Sequence, residues 1–427
     1  MAIDKTLGNI FKGDKVIWMV FFFLCIISVI EVFSASSSLT YKGGSYWAPI
    51  IKHGGILAVG IFFMVVTLNI KCRYFKIVTP FILILAFLLL IAVHVVGQSI
   101  NGGARWISIL GIQFQPSEIA KGAIVLATAQ ILSAMQTEKG ADRKAINYIL
   151  ITSSFLIVPI ATENLSTAML IFAVICIMMF IGRVPMSQLG KLIGVIMLIG
   201  VFLISLVMIA GNTDNQQQLK NGVKVEQVAQ SQEKKDKGGA IKILHRMDTW
   251  KTRILKFFDH TEVPPEKFDL DKDAQVGHAN IAIASSNVVG KGPGNSVERD
   301  FLSQAFSDFI YAIVIEETGI EGAIAVAMLY IILLFRTGRI ASRCENNFPA
   351  LLAMGLAILL VVQALFNMLV AVGLFPVTGQ PLPLISKGGT STIINCIYVG
   401  VILSVSRSAK KRKPMEDNLP KEMHVAA

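Results

Sequence analysis

Apolar runs of about 20 residues, separated by short polar stretches, recur along most of the chain. At roughly 1.5 Å of rise per residue, each is long enough to cross a bilayer as a helix. The pattern predicts helices near 16–35, 54–70, 77–96, 117–133, 146–161, 167–181, 190–210, 309–335, 349–374 and 390–405, ten in all. The fifth and sixth are joined only by residues 162–166, a tight hairpin. The chain therefore divides into a short N-terminal tail (1–15), a first set of seven spans (16–210), a long polar segment (211–306), a second set of three spans (307–406) and a basic tail (407–427). The fold expected is an all-α polytopic membrane protein with one large loop between the seventh and eighth helices.

Within the long segment, 212–237 is rich in Gln, Asn, Lys and Glu, a composition that favours mobility. Residues 241–258 place Ile243, Leu244, Met247, Trp250, Ile254, Leu255 and Phe258 at helical spacing with Lys and Arg between them. That spacing fits an amphipathic interfacial helix, or equally a small packed external subdomain.

Charge gives orientation. Lys5, Lys12, Lys15, Lys71, Arg73, Lys76, Lys139, Arg143, Lys144, Arg183, Arg336, Arg339, Arg343 and the run Arg407 to Lys413 all fall on one side of the expected bundle. The other side's short loops hold little beyond Lys42 and Arg105, with Lys52 and Lys387 at their borders. Basic short loops stay cytoplasmic, so both termini are expected inside and the long loop outside. The first run exceeds an ordinary signal-peptide core and many spans follow, so it is read as a retained helix rather than a cleaved leader.

Composition agrees. The chain is 54% hydrophobic and 16% charged, with a net charge of +11, against about 25% charged residues in soluble proteins. No soluble basic domain is present to bind nucleic acid. Cys25, Cys72, Cys176, Cys344 and Cys396 fall in apolar spans or inside loops, which implies no disulfide framework or thiolate metal site.

Several polar motifs interrupt this pattern. Asp308 sits where the long loop gives way to an apolar run, and Glu316 and Glu317 follow about 12 Å deeper along the axis. Ionisable groups at such depth mark function or a packed polar contact. Asn-Gly-Gly-Ala-Arg-Trp at 101–106 precedes Gln-Pro-Ser-Glu at 115–118 and Lys121. Val-Gly-Lys-Gly-Pro-Gly-Asn-Ser at 289–296 precedes Ser-Asp-Phe-Ile-Tyr-Ala at 307–312. Near the end stands Phe-Pro-Val-Thr-Gly-Gln-Pro-Leu-Pro-Leu-Ile-Ser-Lys-Gly-Gly at 375–389. The glycines at 290, 292 and 294 are no dinucleotide fingerprint, since no βαβ frame surrounds them; they read as a tight external turn supporting Asp308. His245, His260 and His278 lack metal-ligand spacing and read as free surface histidines. Gln363 and Asn367 read as interhelical hydrogen bonds. Glu316 and Glu317 read as structural, pairing with Lys121 or another helix.

Taken together and in this order, these blocks resemble the SEDS family of FtsW, RodA and their sporulation relative, from about residue 13 to residue 407, and the surroundings of Asp308 look more like the FtsW branch. The resemblance implies polymerisation of lipid II into glycan strands at the outer face of the cytoplasmic (inner) membrane. It also implies partnership with a class B penicillin-binding protein and other divisome or elongasome membrane proteins, and it maps the family's essential aspartate onto Asp308. The chain departs from the family pattern at 302–305, at 163–167, where Glu163 stands near a missing acid, and in the length of 212–237.

The implied reaction sets requirements. A sugar hydroxyl must lose a proton to a base within about 3 Å, while cations steady the departing diphosphate. An α-linked donor giving a β-linked product makes the transfer inverting. Asp308 is the candidate base; a rival role is to hold a divalent cation, Mg or Mn, against the diphosphate. Arg105 is a candidate diphosphate contact or an interfacial anchor beside Trp106. Glu118 and Lys121 share a helix face, as an internal ion pair or as a diphosphate lysine oriented by Glu118. Lys387, with Ser386, Thr378 and the glycines, forms a candidate anion cradle or a packed re-entrant turn built on Pro376, Pro381 and Pro383. Two other functions compete: a lipid II flippase, and a non-catalytic scaffold for the transpeptidase.

Overall fold

A computed structural model describes residues 12–43, 48–100, 103–109, 112–210, 270–302 and 305–409. Eleven α-helices are described: α1 (Lys15–Gly43), α2 (Ala48–Asn69), α3 (Cys72–Val96), α4 (Pro116–Ala134), α5 (Ala145–Glu163), α6 (Leu165–Ile181), α7 (Met186–Ala210), α8 (Leu270–Ser285), α9 (Ile310–Ala341), α10 (Asn347–Ala371) and α11 (Thr390–Ser408). Seven of them (α1, α2, α3, α5, α9, α10 and α11) are long and apolar enough to cross a membrane; α6 and residues 186–202 of α7 are shorter apolar helices. A helix occupies each stretch whose apolar run was read as one. The bounds move by a few residues, since α2 begins at Ala48 and α9 continues to Ala341.

The fold is not wholly α-helical. Between α3 and α4 lies a three-stranded antiparallel sheet of β1 (Gln98–Ile100), β2 (Gly103–Ile109) and β3 (Ile112–Phe114), with Ile107 opposite Phe114 and Ile100 opposite Gly103. Asn-Gly-Gly-Ala-Arg-Trp at 101–106 therefore runs into a strand from Gly103 onward. Trp106, Ile107, Ile109 and Ile112 favour extended backbone, and the connection is too short for another span. A second departure is α8, which the polar reading of 211–306 did not anticipate. The expected amphipathic helix at 241–258 and the insertion 212–237 lie outside the described residues.

The bundle is centred on α10 and α11, whose most apolar windows are 67% and 78% buried, against 22% for α3. Phe62, Phe81, Phe155 and Phe202 point outward, as lipid-facing side chains do. Small residues let helices meet closely: a Cβ on Gly400 would stand 2.7 Å from Met64 O, and one on Gly60 2.8 Å from Cys396 Sγ. Asn164 alone separates α5 from α6, and its side chain caps α6 by accepting from Thr167 N at 3.2 Å.

One end of the bundle is tied by Asp14. Its carboxylate accepts from Val16 N (2.9 Å), capping α1, and pairs with Arg336 of α9 at 2.8 Å, while its own N–H donates to Ser406 of α11. The N-terminus of α9, with Asp308 just before it, lies at the opposite end.

The helix α9 is broken at Gly319 (φ 71°, ψ −172°), which isolates the segment 310–318. Residues 310–317 are all buried. The break strands two carbonyls, and the glycine-rich turn satisfies them: Lys291 N donates to Glu316 O (2.9 Å) and Gly292 N to Glu317 O (2.8 Å). A side chain at Gly319 would run into Val288 O, and one at Gly290 into the backbone of Glu317 and Gly319.

Candidate functional site

Asp308 is half-buried in a turn preceding α9. Three successive carbonyls of that turn are each held by a different donor. Phe306 O accepts from Lys387 N (2.9 Å), Ser307 O from Ser386 Oγ (2.6 Å) and Asp308 O from Asn367 Nδ2 (2.8 Å). Asn367 also donates to Gln380 O at 2.8 Å. The carboxylate itself accepts from Ser307 Oγ at 3.0 Å. A turn pinned at three consecutive peptides presents its side chain from a fixed backbone, which is what a positioned acid or base needs.

The holding partner is the loop between α10 and α11. Gly373, Gly379 and Leu384 take positive φ (75°, 68° and 67°), and Pro376, Pro381 and Pro383 carry no N–H to satisfy. Tyr330 O–H donates to Pro383 O, Gln380 Nε2 to Thr167 Oγ1 (2.8 Å) and Leu382 N to Ser386 Oγ (2.8 Å). The Ser386 hydroxyl is thus engaged with backbone on both sides. Thr378 is 3% exposed, and its hydroxyl has no partner among the described residues.

Lys387 places its ammonium 4.8 Å from the centre of the Phe306 ring, two residues from Asp308. Burial, and secondarily the charge of Lys52, hold its pKa below the usual lysine value.

Lys121 and Glu118 form a fully buried pair on α4 at 2.8 Å, and Lys121 Nζ also donates to Gln363 Oε1 at 2.6 Å. Gln363 Nε2 continues to Pro381 O (3.0 Å), so the pair leads into the same loop that holds Asp308. Gln363 makes the interhelical hydrogen bond read from the sequence, accepting from Lys121 of α4, whereas Asn367 donates to the carbonyls of Asp308 and Gln380, which lie outside the helices. Glu118 Oε2 has no partner among the described residues. Arg105 lies on β2; its side chain is outside the described atoms.

Glu316 and Glu317 are structural, as read, but of the partners weighed for them Lys121 is not met: Glu316 meets Lys291 (2.6 Å) and Ser296, while Glu317 accepts from Ser34 Oγ of α1, another helix, and from Gly294 N (2.9 Å). The acids lie just before the break in α9, where the glycine turn docks, so that turn supplies most of their partners. One reading needs correction. His278 is not a free surface histidine: its Nδ1 lies 2.6 Å from Glu298 Oε2 and its ring stacks on Phe301 at 5.3 Å. The pair became possible because α8 packs on the turn around Glu298, a helix the polar composition concealed.

Sequence reasoning also missed Ser28 and His53. Ser28 Oγ donates to Ile385 O (2.8 Å) and meets His53 Nε2 at 2.8 Å, tying α1 and α2 to the loop. Their signal was present as polar residues inside apolar spans.

As to metal, no group of three or more His, Cys, Asp or Glu side chains converges among the described residues. Hard divalent cations prefer six or more oxygen ligands. Among the described residues Asp308 belongs to no group of three or more such side chains that would supply a cage of protein oxygens.

The whole-chain comparison fits this geometry. The FtsW, RodA and SpoVE family model, described as cell cycle protein, matches residues 14–411. The chain belongs to this family. It is 29% identical over 410 residues to a probable peptidoglycan glycosyltransferase FtsW of Geobacter metallireducens, covering 95% of this chain and 97% of that one. It is 27% identical over 408 residues to the peptidoglycan glycosyltransferase MrdB of Escherichia coli K12, covering 95% and 96%. Among solved structures, the fold matches a chain from a peptidoglycan synthase complex studied for coordination of polymerization and crosslinking (TM-score 0.64, 22% identity, 93% and 98% coverage). It also matches the rod shape determining protein RodA of Thermus thermophilus (TM-score 0.61, 20% identity, 94% and 99% coverage). Family and helices together make the chain a multi-pass membrane protein.

Proposed function

We propose that this protein is a peptidoglycan glycosyltransferase that polymerises lipid II at the outer face of the cytoplasmic membrane, most directly in septal synthesis. The observation that carries the reading is the clamped turn of Asp308 beside Lys387, in a chain that belongs to this family over nearly its full length. Asp308 takes the proton from the acceptor sugar hydroxyl as that oxygen attacks the anomeric carbon. The bond to the diphosphate breaks with inversion, and its electron pair leaves with the phosphate oxygen. Lys387 lies where a cation stabilises that developing charge, and Arg105 is the second candidate. Lys121, closed into a pair with Glu118 and Gln363, supports the loop from behind. Thr378 and Ser386 belong to the same loop; the orphan Thr378 hydroxyl is the better substrate donor of the two.

Ten spans, both termini inside and a large outer loop fit the charge pattern and the placement of Asp308 and Arg336 at opposite ends. A class B penicillin-binding protein is the partner that the relatives' assembly points to. Reconstitution with labelled lipid II, with and without that partner, tests the function. Glycan strands support the enzyme; label crossing the bilayer without polymer supports a flippase; the absence of both supports a scaffold. Adding a chelator separates the two roles of Asp308: a base keeps working, whereas a holder of Mg or Mn loses activity.

A further inference from the structure

The N-terminus of α11 adjoins the clamped turn and is unusually open. Its cap residue is Gly389 (φ 53°), which supplies no side-chain cap. Gly388 keeps the space before the first turn clear: a Cβ there would stand 3.1 Å from Ser391 Cβ and 3.6 Å from both Ser391 Oγ and Thr392 Oγ1. Ser391 is 2% exposed, and its hydroxyl has no partner among the described residues. A buried hydroxyl without a partner is costly unless something supplies the missing bond.

Two cations border this opening. Lys387 immediately precedes Gly388, and Lys52, on the first turns of α2, is next to His53, whose Nε2 meets Ser28 Oγ where that hydroxyl donates to Ile385 O of the loop; the charge of Lys52 lowers the pKa of Lys387. Neither ammonium has an ion-pair partner among the described residues. His53, beside Lys52 and 1% exposed, reaches the loop through Ser28 and leaves Nδ1 unpaired. Two like charges held together without a counter-ion, at the positive end of a helix, favour an anion.

We infer that Lys52, Lys387, Ser391 and the N-terminal turn of α11 form a subsite for a lipid-linked diphosphate, with Lys52 as a binding residue that the motifs did not single out. This rests on the glycosyltransferase reading. It assigns the diphosphate to the N-terminal turn of α11, next to the loop that clamps Asp308, rather than to the closed pair of Lys121 and Glu118. Binding needs no covalent step: the ammoniums, the Ser391 hydroxyl and the helix N–H groups donate to phosphate oxygens.

The test is equilibrium binding of undecaprenyl diphosphate to the purified full-length protein in detergent. Lys52→Gln and Lys387→Gln are each expected to weaken binding about tenfold or more, the scale of a charge-assisted contact. Ser391→Ala should weaken it a few-fold, and Lys52→Arg should retain it, which separates charge from folding. Inorganic pyrophosphate should compete and phosphatidylglycerol should not. Wild-type binding by both glutamine variants overturns the subsite, as does displacement by phosphatidylglycerol at equal concentration. Asp308→Ala protein should bind the diphosphate normally while making no polymer. Polymer from Asp308→Ala overturns the enzymatic reading, and the binding arm still decides the subsite.

Discussion

In the proposed reaction, three side chains around one turn set the chemistry. Asp308 is presented by a backbone whose carbonyl is fixed by Asn367, so the effect of Asn367 should be indirect. Asn367→Ala removes two hydrogen bonds of 2.8 Å and leaves two carbonyls without that donor. The expected outcome is a drop in kcat of about tenfold or more with KM little changed, measured on lipid II, because each orphaned buried acceptor costs about 1–3 kcal/mol. Lys387 titrates below an ordinary lysine because burial disfavours its charge. The unfolded chain therefore holds that proton to higher pH than the folded one. Raising pH through the folded value relieves a folding cost while it removes the cation that attracts diphosphate. The kcat/KM profile should accordingly fall on its alkaline side below the usual lysine range, and Lys387→Arg should move that fall upward. An identical alkaline limb in both proteins would detach Lys387 from the reaction.

At the level of elements, α9 works as two pieces. The segment 310–318 starts at Asp308's turn and ends against the glycine-rich turn, so that turn braces the far end of the piece that carries the site. Gly319→Ala puts a methyl into Val288 O and forces a positive φ on a residue with a Cβ. The expected result is a lower Tm with activity lost alongside, read by thermal unfolding in detergent. The buried pair on α4 behaves differently. Lys121→Met alone leaves Glu118 charged and unpaired, an error of about 3–5 kcal/mol, whereas Lys121→Met with Glu118→Gln should recover most of the stability. Equal destabilisation in single and double variants would remove the ion pair as the reason these residues stand together.

The helices were legible because runs of about 20 apolar residues admit little else, and Asp308 and Lys387 because a charge at an apolar boundary is conspicuous. The sheet was not, because 98–114 is short and its glycines look like turn signals until strand pairing uses the isoleucines between them. Nor was the clamp on residues 306–308, since its donors come from 367, 386 and 387, and a single sequence carries no record of which loop meets which. The glycine-turn partners of Glu316 and Glu317 were not legible for the same reason: helical spacing gives the face of an acid, and the break at Gly319 decides what docks there.

Across the whole molecule, the two ends differ in kind. One is stitched by Asp14, Arg336 and Ser406, and the other gathers Asp308, Lys387 and the α10–α11 loop. The helix α11, the most buried of the seven candidate spans, runs between them with its N-terminus beside the loop that clamps Asp308. The account stands on Asp308 acting as the base of strand synthesis. The most direct measurement compares wild-type and Asp308→Asn protein, purified with the partner, in glycan-strand formation from labelled lipid II. The expected result is long strands from wild type and a rate lower by about 10²–10⁴-fold from the isosteric variant, with folding and diphosphate binding intact. Strands of normal yield and length from Asp308→Asn would contradict it.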